Sequence, residues 1–261
     1  MRKFICLTAL VIVCLSVAAW TPIGSGIQPA VRELITEIRD HIDPGTYAEF
    51  RDDFYEFPQA TVWDTTSVVV DAGSLVAVVD SLGIPGALKW TLGNTSKGPM
   101  NGMNLQTVQA PFRMTASPAN PDSATVPLEF ETKFMVDNAT QTQIHAGWTI
   151  EDESLGDNTY AVMLVKYDNT TTAYAKAIKA TTGAMDSTSL GALANRTWYR
   201  LKIVWNGASA KFYLNGVLKA TLSTAANFPT GVHLKPTIQI AGGDSVIHYS
   251  YIDYVWARQK R

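Results

Sequence analysis

TWYRLKIVWNGASAKFYLNGVLKAT, residues 197–221, is the stretch whose reading decides the fold. Tyr199, Leu201, Ile203 and Trp205 alternate with Trp198, Arg200, Lys202 and Val204. That period of two is what a strand shows when one face is buried and the other meets water. Asn206-Gly207 closes the run, Lys211 to Leu214 forms a second, and Asn215-Gly216 supplies the two residues best suited to positive φ in a type I′ hairpin. Three consecutive antiparallel strands are predicted here, with Trp198 on the outer face because it alternates with Tyr199.

Working outward, the same pattern recurs upstream. Residues 126–136, 143–150, 159–167 and 172–180 read as strands separated by the turn clusters Asp137-Asn138, Asp157-Asn158, Asp168-Asn169 and Thr182-Gly183. Downstream, residues 246–256 (VIHYSYIDYVW) form a long aromatic strand, expected to pair with the first strand of the domain. Evenly spaced strands without intervening helices argue for a two-sheet sandwich. That first strand lies in EFRDDFYEF, residues 49–57, with Phe50, Phe54 and Phe57 as core candidates. Residues 67–79 add a β-branched stretch broken at Asp71-Ala72-Gly73, and Pro85-Gly86 a turn. Residues 91–122 are rich in Gly, Asn, Ser, Pro and Thr and read as one short strand between long loops.

The chain before the sandwich differs. Ile27, Val31, Leu34, Ile35, Ile38 and Ile42 recur at helical spacing, with Pro29 at a first-turn position and Asp43-Pro44-Gly45 as a stop. A short amphipathic helix is predicted, either packed on the sandwich or serving as an attachment element. Residues 1–19 begin with Arg2 and Lys3, run through FICLTALVIVCLSV and end in Ala18-Ala19. They read as a signal peptide cut after Ala19 or as an N-terminal hydrophobic anchor. The expected organisation is thus a leader over 1–19, a helical prefix over 20–45 and a sandwich over 46–261.

Composition narrows the function classes. Hydrophobic residues are 46% and charged residues 17% of the 261, enough for a packed core and against disorder. The formal charge of −2, without a basic face, gives no footprint for nucleic acid. Cys6 and Cys14 both lie in the leader, so the domain has no thiol for a disulfide, a metal site or a nucleophile.

Candidate chemistry is sparse. Glu129 and Glu131 share one face of a strand, but the next residue on it is Lys133 rather than a third acid, and paired carboxylates are what glycosidic cleavage needs. Glu151, Asp152 and Glu153 read as a loop. His41, His145, His233 and His248 are scattered, and His145 and His248 could meet across the sheets. Sugar binding calls for an aromatic platform beside hydrogen-bonding groups, which makes Trp198, Trp148 and His145 the ligand candidates. Asp137, Asp157 and Asp168 are oxygen donors at successive strand ends, the type of group calcium takes.

From residue 126 the chain resembles the concanavalin A-like jelly roll, in particular its laminin-G-like branch. The residues that carry this are PLEFETKFMVDNATQTQIHAGWTIED, the meander quoted above, and PTIQIAGGDSVIHYSYIDYVWARQKR. Within that superfamily the order of strand, NATQ turn, GWTIED strand, YLNG hairpin and final YIDYVWARQ is similar to structural proteins of tailed-phage virions. The resemblance spans residues 48–261 and includes no catalytic signature. It lacks the E-x-D-x-x-E strand of similar sandwich glucanases. What it implies is an all-β, two-sheet antiparallel jelly-roll sandwich acting as a non-catalytic structural or attachment module on a particle or cell surface. Its implied partners are other structural proteins or surface glycans, with a homo-oligomer compatible and a membrane touched only through residues 1–19. The alternative is a secreted glycan-binding module; a glycoside hydrolase of the same fold ranks third. An extracellular or surface-exposed location goes with all three.

Overall fold

The computed structural model describes residues 47–54, 63–64, 75–81, 84–92, 102–107, 112–114, 127–150, 160–179, 185–244 and 246–260. All belong to one compact unit, Tyr47–Arg261. The leader and the predicted helix lie outside the described residues, as do Asp157 and residues 151–153.

The elements are almost entirely strands. In chain order they are β1 (Tyr47–Asp52), β2 (Trp63–Asp64), β3 (Leu75–Ser81), β4 (Ile84–Leu92), β5 (Gly102–Thr107), β6 (Phe112–Arg113), β7 (Leu128–Val136) and β8 (Thr142–Thr149). There follow β9 (Tyr160–Lys166), β10 (Thr172–Lys179), β11 (Met185–Ala192), β12 (Thr197–Trp205), β13 (Ala210–Leu214), β14 (Val217–Leu222), β15 (His233–Gly242) and β16 (His248–Lys260). The one helical piece among the described residues is a 3-10 turn, Ala225–Asn227. Sheet A runs β14-β13-β12-β7-β16-β4-β3, and sheet B runs β11-β10-β9-β8-β15-β5-β2. Every pairing is antiparallel, and the jelly-roll sandwich expected from the sequence is the fold observed.

The meander forms as read. Tyr199, Leu201, Ile203 and Trp205 are buried, and the outward residues of β12 are half-buried or exposed. Asn215 and Gly216 take φ of 52° and 77°, the positive pair a type I′ hairpin requires. The Asn215 side chain accepts the Arg200 backbone N–H at 2.8 Å, tying the turn to β12. The last strand does pair with the first: β16 bonds β4 over His248–Ile252 and β1 from Val255 to Lys260, so one long strand carries two short partners along one edge.

Side chains from both sheets meet in one core. Trp148 of sheet B touches Phe130 of sheet A at 5.8 Å between ring centroids and Phe112 at 4.9 Å. Trp205 packs on Phe228 at 4.4 Å. Two expectations are corrected. The polar stretch 91–122 holds two strands, β5 and β6, rather than one, both added to β15. The sequence MDSTSLGA, not expected to be a strand, forms β11 at the edge of sheet B. Most of β11 is exposed, so it has no apolar face to betray it.

Candidate functional site

Each sheet has an outer face, and the two are built differently. On sheet A the outward residues of β7, β12 and β16 form ion pairs. Glu129 meets Lys202 at 2.7 Å and Arg258 at 2.9 Å, Glu131 meets Arg200 at 2.6 Å, and Lys133 meets Asp253 at 2.7 Å. Burial alone would raise the Glu129 carboxyl, but Lys202 and Arg258 outweigh it and hold the group below the usual carboxylate range. Glu129 is therefore an anion locked between cations, not a proton donor. The Tyr254 hydroxyl donates to Glu131 at 2.5 Å, and burial together with that carboxylate pushes the phenol well up. Trp256 lies under Arg258 at 4.8 Å and donates its Nε1–H to Glu49 at 2.6 Å.

On sheet B the register aligns a row of polar side chains that run across the strands. Gln239 of β15 stands opposite Asn104 of β5 on one side and His145 of β8 on the other. One row along, Thr237 stands between Gln106 and Gly147. Gln106, Gln143, His145, Thr149, Thr237 and Gln239 are all at most 2% exposed, although they point away from the core between the sheets. Part of this set is saturated. The Gln106 amide donates to Thr149 Oγ1 at 2.8 Å and Thr237 Oγ1 at 3.1 Å, and Gln143 Nε2 reaches His145 Nε2 at 3.0 Å. Gln239 is different: neither its Oε1 nor its Nε2 has a hydrogen-bond partner in ordinary geometry, and the His145 ring beside it is a polar neighbour that it meets weakly. A buried polar group left in that condition costs roughly 1–3 kcal/mol.

Burial pushes the His145 ring down to about 3; the nearby Lys176 charge acts in the same direction and the Gln239 carboxamide weakly against it. The ring is neutral at any ordinary pH, with its Nε2 3.0 Å from Gln143 Nε2. Beside this polar row, Ala161, Met163 and Val165 of β9 form a small apolar cluster against Ile178. The face opens toward the sheet edge, where Tyr167 is 40% exposed and Met185 48%.

Gly147 shapes this face. A Cβ there would lie 2.7 Å from the Met163 Cα and closer still to the Val162 carbonyl oxygen, so only glycine lets β9 pass so near β8.

The sequence candidates fall in separate places. His145 is at the centre of the sheet B face. Trp148, on the opposite face of β8 from the outward set, is wholly buried between Phe112 and Phe130 and offers no platform. Trp198 is half-buried on the outer face of sheet A, 6.5 Å from Tyr251 and 5.0 Å from the Lys133 ammonium. His145 and His248 do not meet: His248 binds Asp244 at 2.8 Å and lies 3.6 Å from Asp137, between two carboxylates the sequence did not pair with it. Asp168 packs beside Gly243, accepts from Asn169 at 3.0 Å, and favours the charged form of Lys166, which burial pulls down to about 8. Lys166 is itself fully buried and donates to the Thr142 carbonyl. Asp137 and Asp168 thus each face a nitrogen group, and the described residues hold no set of three acidic, histidine or cysteine side chains placed to bind a metal. Sequence reasoning missed Gln239, Gln106 and Thr237. The signal for Thr237 and Gln239, polar residues alternating with Ile238 and Ile240 in β15, looks like any solvated strand, and Gln106 joins them only through the pairing of β5 with β15.

No family model matches the chain, and no curated protein does. Solved structures share the fold. One, titled "Prominent members of the human gut microbiota express endo-acting O-glycanases to initiate mucin breakdown", is 12% identical with a TM-score of 0.58 over 81% of this chain and 98% of that one. A Bacillus licheniformis β-glucanase is 15% identical with a TM-score of 0.53 over 82% and 98%. A sialidase is 11% identical with a TM-score of 0.51, and there the match spans 81% of this chain but only 18% of the other. These identities establish a shared architecture. They lend no support to the virion part of the resemblance. They also overturn the expectation of a non-catalytic module: the architecture is one that a β-glucanase and an endo-acting O-glycanase use, so the fold gives no ground for setting catalysis aside.

Proposed function

We propose that the sandwich is a carbohydrate-active domain and that the outer face of sheet B is where the sugar lies. The observation that carries this reading is the Gln239 carboxamide on the outward face, which meets no partner in ordinary geometry and has only a weak contact with the His145 ring beside it. Sugar hydroxyls are paired donors and acceptors, the complement of a carboxamide. The apolar contact that the C–H face of a pyranose takes is offered at the margin of the face, where Tyr167 and Met185 are exposed. Glycan-active proteins of the same architecture are consistent with this reading, as is a location outside the cell.

The test is a glycan array probed with the full chain, with and without calcium, followed by mass spectrometry of each bound oligosaccharide after incubation to read chain cleavage. Binding that disappears in Gln239→Leu, with the circular dichroism spectrum unchanged, is the expected result. Binding that survives in Gln239→Leu, or an array with no binders at all, overturns the proposal.

A further inference from the structure

Lys176 is 8% exposed, projects from β10 on the outer face of sheet B, and sits opposite Met163 and Ser187 in the register. Its ammonium donates to the Tyr167 hydroxyl at 2.6 Å and lies 4.8 Å from the centre of that ring. Tyr167 in turn meets the His145 ring edge-on, with centroids 6.0 Å apart. Lys176, Tyr167 and His145 therefore form a contiguous group that joins the shielded polar row to the exposed margin at Tyr167.

What Lys176 lacks among the described residues is a carboxylate. Among the described residues no aspartate or glutamate forms an ion pair with Lys176; its partners are a neutral phenol and a π face. His145, which feels the Lys176 charge, is neutral and adds none. The contrast with sheet A is direct, since there Lys133, Arg200, Lys202 and Arg258 each have a carboxylate. An ammonium taken out of water without a counter-charge is costly, and buried charges are ordinarily paired.

We propose that the missing counter-charge arrives with the ligand, so that the sugar bound on sheet B is acidic and presents a carboxylate or sulfate to Lys176. The anion takes the ammonium and the Tyr167 hydroxyl as donors, while the neutral hydroxyls of the same sugar extend along the row toward Gln239. This rests on the glycan reading above and narrows it to a substrate class.

The test compares uronate-bearing, sulfated and neutral oligosaccharides of matched length on one array, then titrates the best acidic and the best neutral probe by calorimetry. A methyl-esterified uronate oligomer serves as the uncharged control. The expected result is that acidic probes bind, that methyl-esterification removes the binding, and that Lys176→Met weakens it about tenfold or more while Lys176→Arg restores most of it. Unfolding midpoints show whether Lys176→Met still folds; should it not, the esterified control decides alone. Binding confined to neutral probes overturns this inference and leaves the glycan reading standing. Acidic binding indifferent to esterification or to Lys176→Met overturns it as well, and the absence of any binder overturns both.

Discussion

The outer faces of sheets A and B solve the same geometric problem in opposite ways. Each is the non-core side of an antiparallel sheet, and each is read from strands that alternate with period two. On sheet A the outward side chains are charged, the carboxylates buried and the cations partly exposed, and Glu129, Glu131, Lys133, Arg200 and Lys202 each end on a partner of opposite sign across a strand. On sheet B the outward side chains are mostly uncharged amides and hydroxyls, shielded, and incompletely partnered at Gln239. The difference teaches where to look for function. A face whose charges pair contributes stability; on sheet A even the atoms short of a hydrogen bond, Glu129 Oε2 and Arg258 Nε, belong to ion-paired groups, whereas Gln239 on sheet B has no charge to pair.

The sharpest way to break this comparison is to fill the one point where sheet B is pinched. Gly147→Ala drives a methyl group into the β9 backbone, which cannot give way as a flexible side chain would. It is expected to destabilise the domain by about 3 kcal/mol, read as a lowered urea midpoint, and to abolish glycan binding. A variant as stable as the parent would show that β9 can move and that the face is not rigid.

The two faces should also separate by pH. His145 is held neutral in the fold with its pKa depressed to about 3 from 6.5. The unfolded chain takes up a proton first, so stability is fully present above about pH 6.5 and is lost as the pH falls toward 3. Glu129 is also depressed, from 4.5, so its contribution is present above that value and is lost only as the pH falls further. Urea unfolding between pH 7 and pH 5 therefore reads sheet B, and His145→Gln should flatten that limb. Glu129→Gln should leave that limb intact and flatten the part below pH 4.5. If the two variants change the same limb, the assignment of the limbs to faces fails.

At neutral pH, Glu129→Gln leaves Lys202 and Arg258 facing each other across β7. With Lys202 about a third exposed, screening limits the loss, and about 1–2 kcal/mol is expected. Gln239→Leu should act with the opposite sign. Replacing an unpartnered buried carboxamide by an apolar group of similar size is expected to raise stability by about 1 kcal/mol, measured without ligand, while costing binding. A clear loss of stability would mean that Gln239 is satisfied in the free protein. The smallest effect is expected at Trp198→Ala, which strips a half-buried ring from beside Tyr251 and Lys133 and should leave glycan binding unchanged. Lost binding there would transfer the sugar site to sheet A.

The sequence by itself determined most of the strands and which way their side chains face. Alternation in residues 197–205, the Asn215-Gly216 turn and the repeated Asp-Asn clusters are local signals, because side-chain direction and turn conformation depend on neighbours along the chain. The same alternation put Trp198, Glu129 and Glu131 on an outer face, and the length and aromatic content of the last strand pointed to its pairing with the first. It could not find β11, whose polar residues have no apolar side, and the search for an aromatic platform named Trp148, which the structure buries between Phe112 and Phe130. Only the tertiary structure decided that the outward side of sheet B is shielded, that Gln239 lies beside His145, and that Lys176 has a phenol where a carboxylate would be expected. Those are relations between strands distant in sequence, from β5 to β15, and they arise only when hydrogen-bonded register brings side chains from different parts of the chain into one row.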